Sequence, residues 1–201
     1  MKTILIGTAN LGKVTDFKPL FMNEGIAVKS LHDLEKVIDV EETGNTFEEN
    51  AILKAEALSR YYGQVVIADD SGLAVEALGG KPGVYSARYA GIHKSDKDNI
   101  KKVLAEMEGI PYAQRKAAFV CVLALAAPEK ETVIFKGTCN GYITEEPRGG
   151  NGFGYDPIFY VPEMDKTMAE MSTEEKNAIS HRRKALDQLK QFWRQAENDY
   201  F

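Results

Sequence analysis

The apolar positions in the first half of the chain predict strands that alternate with helices. Short apolar runs at residues 4–7, 26–30 and 65–68 have the length and composition of buried strands. Segments with helical spacing follow polar N-cap residues, and the predicted helices cover residues 11–23, 46–62 and 95–108. A capping box at residues 46–49 is expected to open the second of these helices. Strands and helices that alternate in this way are typical of α/β proteins.

The second half predicts two long neighbouring strands and a final helix. Residues 117–126 and 132–143 are strand candidates separated by a turn that begins at Pro128, so we expect a hairpin. A capping box at residues 172–175 opens the final helix, whose apolar residues through Trp193 have helical spacing. The whole chain therefore predicts one domain, residues 1–201, built on a mixed α/β sheet with flanking helices.

Composition excludes several classes of function. The chain has 201 residues, of which 44% are hydrophobic and 27% charged, so it can bury a sizeable core. Its net charge is −5 and no basic stripe is visible, which argues against a nucleic-acid polymer as partner. No segment approaches the roughly 20 apolar residues that cross a bilayer, and no signal peptide is recognised. Cys121 and Cys139 lie in strand-like runs, so we expect reduced core thiols in a cytoplasmic protein without membrane partners.

The first candidate motif is a loop between a strand and a helix, residues 7–13. Backbone N–H groups and the helix dipole can hold a phosphate there. The loop has two glycines and then Lys13, as in a Walker A motif, but Val14 stands where that motif needs a hydroxyl for Mg²⁺. The sequence therefore argues against a P-loop NTPase, and a plain turn with a surface lysine remains the alternative to phosphate binding.

The second motif is a pair of adjacent carboxylates, Asp69 and Asp70, at the end of a predicted strand. Side chains that are adjacent in a strand point to opposite faces, so one aspartate is expected to face the site and the other to support it. Glu41 and Glu42 offer further carboxylates, and Mg²⁺ prefers carboxylate oxygens together with substrate phosphates. The alternatives are a turn with local hydrogen bonds for the aspartates and a solvated acidic loop for the glutamates.

The third motif combines an aromatic loop with a basic helix. In residues 152–157 glycines alternate with Phe153 and Tyr155, whose rings can stack on a nucleobase; a tight turn with buried aromatics is the alternative. On the final helix Lys176, Ser180 and Arg183 are expected to share a face. His181 and Arg182 stand beside this face and supply two further donors. Such a set of donors suits an anionic or keto ligand.

Together these motifs closely resemble one family, the inosine triphosphate pyrophosphatases, also called non-standard purine NTP pyrophosphatases. The resemblance covers nearly the whole chain, in family order. It rests on the segments 8–13, 42–51, 68–73, 79–89, 152–157 and 166–182. The combination is far more specific than any single motif.

The resemblance implies an elongated two-lobed α/β fold with the active site in the cleft between the lobes, and a homodimer. It also implies an enzyme that uses Mg²⁺ to hydrolyse ITP, dITP and XTP to the nucleoside monophosphate and pyrophosphate, which cleanses the nucleotide pool.

The family's functional positions transfer onto individual residues of this chain. Asp70 matches the metal ligand and proton acceptor, with Asp69 beside it as the alternative acceptor. Glu42 matches the metal-binding glutamate, and Glu41 is the alternative one residue away. The positions that match substrate contacts are Thr8, Ala9, Asn10, Leu11, Gly12, Lys13, Lys54, Ser71, Arg88, Phe153, Gly154, Tyr155, Asp156, Lys176, His181 and Arg182.

Two other functions compete with this interpretation. A related family of pyrophosphatases acts on dTTP, UTP and modified pyrimidine nucleotides, but its loops differ from residues 152–157 and 180–182. A nucleotide-sensing module without catalysis is the other alternative, and the intact acidic pair argues against it.

Overall fold

One mixed sheet organises the chain in the computed structural model, which describes residues 2–8, 11–21, 25–93, 95–196 and 199–200. Its strand order is β2-β1-β3-β4-β5-β6-β7. β1 pairs in parallel with β2 and β3, whereas β6 is antiparallel to β5 and β7. The strands are β1 (Thr3–Ile6), β2 (Ala27–Ser30), β3 (Val65–Val75), β4 (Lys116–Ala126), β5 (Val133–Ile143), β6 (Phe159–Val161) and β7 (Lys166–Thr167).

Helices complete the predicted α/β architecture. They are α1 (Leu11–Phe21), α2 (Phe47–Tyr62), α3 (Asp96–Glu106), α4 (Thr173–Ile179) and α5 (His181–Ala196). The mixed α/β sheet and the neighbouring strands β4 and β5 agree with the prediction. None of the helices in the described ranges is long and apolar enough to cross a membrane.

Contacts along the chain define two compact units. Unit 1 comprises Met1–Asp70, Val122–Lys136 and Ala185–Phe201, and unit 2 comprises Ser71–Cys121 and Gly137–Lys184. The boundary at Asp70 falls within β3, so this strand contributes residues to both units. The predicted elongated shape and the predicted cleft stay predictions.

Unit 1 is built around buried β1 and the inner face of α2. Leu5, Leu58 and Val66 form one cluster of buried side chains. Gly7, just after β1, continues the pairing by donating its N–H to the Ile67 carbonyl at 2.8 Å. A Cβ atom on Gly7 would lie 2.6 Å from Cδ1 of Leu58, so glycine permits the close packing of α2 on this strand end.

The start of α2 agrees with the predicted N-cap but not with a full capping box. The Thr46 hydroxyl accepts the Glu49 N–H at 3.1 Å, as expected for an N-cap. The Glu49 carboxylate reaches past Thr46 and accepts the N–H of Asn45 at 2.6 Å. The Glu49 carboxylate therefore binds the N–H of Asn45. A capping box would use the N–H of Thr46, one residue later.

β3 is longer than predicted, because it does not turn after Ala68. It continues through both aspartates to Val75. Leu73 and Val75 are buried in the core of unit 2, and Gly72 passes so close to Ser86 that a Cβ atom would lie 2.2 Å from its Oγ. The turn considered as an alternative for Asp69 and Asp70 is therefore wrong.

Unit 2 packs its own core between α3 and the strand segments that belong to it. The core includes Val103, Met107, Phe119 and Phe159, and the Cys139 thiol is buried among them. Cys121 is buried as well, in agreement with the expectation that both cysteines are core thiols.

The final helix is interrupted, which corrects the prediction of one continuous helix. α4 begins with the predicted capping box between Ser172 and Glu175. It ends before Ser180, whose backbone is extended (φ −62°, ψ 146°) and whose Oγ accepts the Arg183 N–H at 3.1 Å. Serine is a favoured N-cap because its hydroxyl satisfies such an N–H group, so Ser180 starts a new helix.

Candidate functional site

Two lysines of unit 1 contact Asp69. The Lys13 Nζ atom lies 2.7 Å from Oδ2 of Asp69, whose side chain is only 2% exposed. The Lys54 Nζ atom donates to the main-chain carbonyl of the same aspartate at 2.6 Å. Asp69 thus holds the ammonium groups of Lys13 and Lys54, two predicted substrate contacts, at the middle of β3.

Asp70 lies in a buried environment that favours its protonated form. Burial is the largest cause, and the negative charges of Glu42 and Asp69 act in the same direction, whereas Lys54 and the Asn50 amide oppose them. The net effect raises the pKa of Asp70 to about 6. A carboxylate with this pKa is ionised at neutral pH and is able to accept a proton.

Glu42 belongs to the same network, whereas Glu41 is exposed. The Oε1 atom of Glu42 accepts a hydrogen bond from Lys54 Nζ at 2.6 Å. Its charge raises the pKa of Asp70, so the two carboxylates interact. Of the two candidate glutamates, Glu42 is the one that the structure brings to Asp70.

The carboxylates of Asp70 and Glu42 fit a divalent cation that is shared with a substrate. Asp70 and Glu42 repel each other, and a cation between carboxylates relieves such repulsion. Within the described ranges, no group of three or more His, Cys, Asp or Glu side chains forms a metal cage. Few protein carboxylates, completed by phosphate oxygens and water, are the usual environment of Mg²⁺.

The phosphate-loop candidates are described only in part. Thr8 donates its N–H to the Ile6 carbonyl at 2.9 Å, which turns the chain just after β1. α1 starts at Leu11, so Lys13 stands in its first turn. Ala9 and Asn10 lie outside the described residues, as does the side chain of Leu11, and Gly12 is described only as part of α1.

In unit 2 the aromatic loop is braced from inside by Asp156. This carboxylate is 4% exposed, accepts the Phe153 N–H at 2.9 Å and forms an ion pair with Lys176. A Cβ atom at Gly152 would lie 2.0 Å from its Oδ2, so the loop closes tightly around it. Gly154 donates its N–H to Asp96 at 2.7 Å.

Phe153 and Tyr155 have opposite environments, which corrects the expectation that both rings can stack on a base. Phe153 is 75% exposed, with Lys176 Nζ 5.0 Å from its ring centroid. Tyr155 is 4% exposed, lies in the core of unit 2 and donates its hydroxyl to the Ser86 carbonyl at 2.8 Å. Of the two rings, Phe153 presents a face to a ligand, while Tyr155 anchors the loop.

The helix break at Ser180 places His181 and Arg182 in the first turn of α5 rather than mid-helix. The face predicted for Lys176, Ser180 and Arg183 therefore does not exist. An Arg182 guanidinium NH₂ group lies 3.3 Å from Oγ of Ser71. The His181 ring stacks on Phe119, with ring centroids 5.1 Å apart.

Arg88, the remaining basic candidate, is half-buried near the end of a short 3-10 helix, Gly83–Arg88. Its guanidinium carbon lies 5.4 Å from the centroid of the Tyr85 ring. The structure thus holds Arg88 through an aromatic neighbour in unit 2, whereas the lysines of unit 1 are held by carboxylates.

One residue of the site, Asn50, is absent from the predicted set. Its side chain is fully buried and its amide Nδ2 donates to Oδ2 of Asp70 at 3.2 Å. The signal for it was a polar residue among the buried positions of α2, next to Phe47 and Ala51. Such a buried amide needs partners, and a partner at a functional position follows only from the fold.

Comparisons with known proteins agree with this fold and these motifs. The dITP/XTP pyrophosphatase of Geobacillus kaustophilus is 58% identical over 193 residues, covering 96% of this chain and 95% of that protein. The dITP/XTP pyrophosphatase of Bacillus cereus is 60% identical over 193 residues, covering 95% and 94%. The structure of the Staphylococcus aureus Ham1 protein superposes with a TM-score of 0.91 at 52% identity, covering 96% of this chain and 98% of that one. Residues 4–192 match the model of the Ham1 family. The family resemblance predicted from the motifs is confirmed, and the chain belongs to the Ham1 family.

Proposed function

We propose that this chain hydrolyses non-standard purine nucleoside triphosphates, namely ITP, dITP and XTP, to the nucleoside monophosphate and pyrophosphate. The names of the relatives at 58% and 60% identity support the substrate class. The observation that carries the proposal is the cluster in unit 1. It holds Asp70, with a pKa of about 6, together with Glu42 and the two lysines.

In the proposed reaction a water oxygen forms a bond to the α-phosphorus. The bond from that phosphorus to the oxygen bridging the α- and β-phosphates breaks, and pyrophosphate leaves with the bond electrons. Asp70 takes the proton of the attacking water, a role that its raised pKa supports. Lys13 and Lys54 balance the negative charge of the triphosphate.

Asp69 has a supporting role in this mechanism. Its carboxylate is engaged by Lys13 and its carbonyl by Lys54, so it orients the two cations that meet the phosphates. Asp70 and Glu42 would hold Mg²⁺, which would polarise the phosphoryl group and lower the pKa of water. The identity of the metal as Mg²⁺ rests on the carboxylate chemistry of the pair.

Unit 2 is proposed to recognise the base. The exposed ring of Phe153 can stack on any nucleobase, because every base has a π-face. His181 and Arg182 supply donors for the 6-keto group of hypoxanthine and xanthine, and Ser71 is held beside Arg182. Asp156 and Lys176 form an ion pair that shapes the loop carrying Phe153.

The same proposal includes a cytoplasmic location and a homodimer. A cytoplasmic location follows from the substrate class, because the nucleotide pool lies there. The homodimer rests on the family resemblance. Light scattering at micromolar concentration is expected to give twice the chain mass of 22.3 kDa, and a monomer alone would reject the dimer.

The test is phosphate release from dITP, XTP, ITP, ATP and dTTP with Mg²⁺, measured with and without added inorganic pyrophosphatase. Release that needs the added enzyme identifies pyrophosphate as the product. We expect turnover of the first three nucleotides, at a rate that Asp70→Asn lowers at least about 100-fold. Preference for dTTP would instead support the pyrimidine-specific family, and binding without turnover would support a sensing module.

A further inference from the structure

Asn50 joins two segments that each carry a candidate metal-binding carboxylate. Its Nδ2 atom donates to Oδ2 of Asp70 on β3 at 3.2 Å. Its Oδ1 atom accepts the N–H of Gly44 at 2.8 Å, in the loop that carries Glu42. The side chain is 0% exposed, so water does not compete for either bond. One buried amide therefore links the strand of Asp70 to the loop of Glu42.

The chemistry of the partners fixes the orientation of this amide. The backbone N–H of Gly44 can only donate, so the amide oxygen must face it. The NH₂ group then faces Asp70, whose carboxylate oxygens accept. The flipped amide would set donor against donor and acceptor against acceptor. Asparagine thus serves both partners in a way that neither an aspartate nor an apolar residue of similar size can.

The loop that carries Glu42 packs closely against Asn50 at Gly44. A Cβ atom at Gly44 would lie 2.7 Å from Asn50 Oδ1 and 3.1 Å from Asn50 N, so a side chain there would push the loop away. Two residues earlier, Glu42 bonds Lys54 on the same helix at 2.6 Å. Helix α2 therefore contacts this loop at two points, through Lys54 at Glu42 and through Asn50 at Gly44.

We propose that Asn50 is a positioning residue that holds Asp70 and the Glu42 loop in one fixed arrangement for metal-dependent catalysis. The inference rests on the proposed function. Asn50 acts through the two carboxylates and touches no reacting atom. Neighbours that orient metal-binding carboxylates typically contribute about 10- to 100-fold in metal affinity or activity. Loss of this amide is expected to have an effect of that size.

Helix α2 offers a matched control for the loss of a buried hydrogen bond. Ser59 is also buried, and its hydroxyl donates to the Gln64 carbonyl at 2.8 Å near the far end of the helix. Ser59→Ala removes a buried bond of α2 without touching the carboxylates. A purely structural role for Asn50 predicts similar kinetics for the variants of both positions once folding is verified.

The experiment compares wild type with Asn50→Leu, Asn50→Asp and Ser59→Ala. For both Asn50 variants we expect kcat on dITP to fall about 10- to 100-fold. KM is expected to stay within about threefold, because the phosphate-contacting lysines remain. Ser59→Ala is expected to keep both constants. Asn50→Asp retains an acceptor for Gly44, so it stays informative if Asn50→Leu fails to fold.

Two measurements do not depend on turnover. Electron paramagnetic resonance of Mn²⁺ added to the nucleotide-free protein is expected to show about 10- to 100-fold weaker binding in Asn50→Leu and unchanged binding in Ser59→Ala. Hydrogen exchange at the Gly44 amide is expected to accelerate in Asn50→Leu and to stay slow in Asn50→Asp. Unchanged kcat together with unchanged Mn²⁺ affinity in the Asn50 variants would overturn the proposal. A wild type that does not hydrolyse dITP would overturn the proposed function, while these two measurements would still decide the role of Asn50.

Discussion

The ammonium group of Lys13 forms an ion pair with Asp69, with 2.7 Å between Nζ and Oδ2. Because this carboxylate is almost fully buried, removal of its charge weakens the ion pair that orients the Lys13 ammonium group. We expect Asp69→Asn to raise KM for dITP about 5- to 20-fold with a smaller effect on kcat. Asp70→Asn is expected to lower kcat at least about 100-fold, because it removes the proposed general base.

Steady-state kinetics of the two variants, with Mg²⁺ held at saturation, separates these roles. Glu48→Gln, which removes an exposed ion pair with Lys136, is a suitable control in the same unit. A larger loss of kcat in Asp69→Asn than in Asp70→Asn would exchange the roles assigned to the two aspartates.

The raised pKa of Asp70 makes stability depend on pH in a defined direction. Between the ordinary aspartate pKa of 3.8 and about 6, the unfolded chain releases this proton while the folded protein keeps it, so folding becomes less favourable as pH rises. Above pH 6 the cost is constant, about 2–3 kcal/mol. Asp70→Asn should therefore raise the Tm of the metal-free protein at pH 7.5 and leave it nearly unchanged at pH 4.

Differential scanning calorimetry in the presence of a chelator measures this difference. The expected gain at pH 7.5 is several degrees for a chain of this size. A gain of equal size at both pH values would assign the effect to packing rather than to the buried charge.

Phe153 and Tyr155 are expected to respond differently to substitution. Phe153→Ala removes an exposed stacking surface and should lower kcat/KM for ITP, XTP and ATP in parallel, about 5- to 150-fold, without loss of Tm. Tyr155→Phe removes the buried bond to Ser86 and should cost about 1 kcal/mol of stability with little change in kcat/KM. A drop in Tm for Phe153→Ala would show that its ring packs within the fold.

Arg182 is expected to discriminate at position 6 of the purine. A guanidinium is always a donor, so it suits the keto group of ITP, XTP and GTP and opposes the amino group of ATP. Arg182→Ala should lower kcat/KM for the three keto nucleotides about 5- to 150-fold and leave the ATP value almost unchanged. Measurement of kcat/KM for all four nucleotides tests this, and a parallel fall for ATP would assign Arg182 to phosphate or structural contacts.

Local signals in the sequence predicted most elements of the fold, because each depends on neighbouring residues. The N-caps Thr46, Ser95 and Ser172 begin α2, α3 and α4 as predicted. The predicted end of β3, at residue 68, is wrong. The strand continues because Leu73 and Val75 are buried in the core of unit 2, which local composition does not reveal.

Candidate site residues could be named from the sequence where the residue type dictates the chemistry, but not where burial decides the environment. Asp70 and Lys13 stood out from the motifs alone. Tyr155 shares the loop pattern of Phe153, but tertiary packing places its ring in the core. Ser180 interrupts the final helix because its hydroxyl caps α5. The apolar spacing across residues 179–193 does not reveal this break.

The close contact at Gly7 has an evolutionary consequence. An alanine at this position would place its methyl group 2.6 Å from Leu58 Cδ1 and 3.2 Å from the Ala68 Cβ, so Leu58 would have to move inside its buried cluster. A smaller residue at position 58 would first make room. The order of substitution therefore matters: alanine at position 7 is tolerated after the change at 58 and opposed before it. The two positions are expected to change together among relatives, as an epistatic pair linking the end of β1 to the helix that carries Asn50 and Lys54.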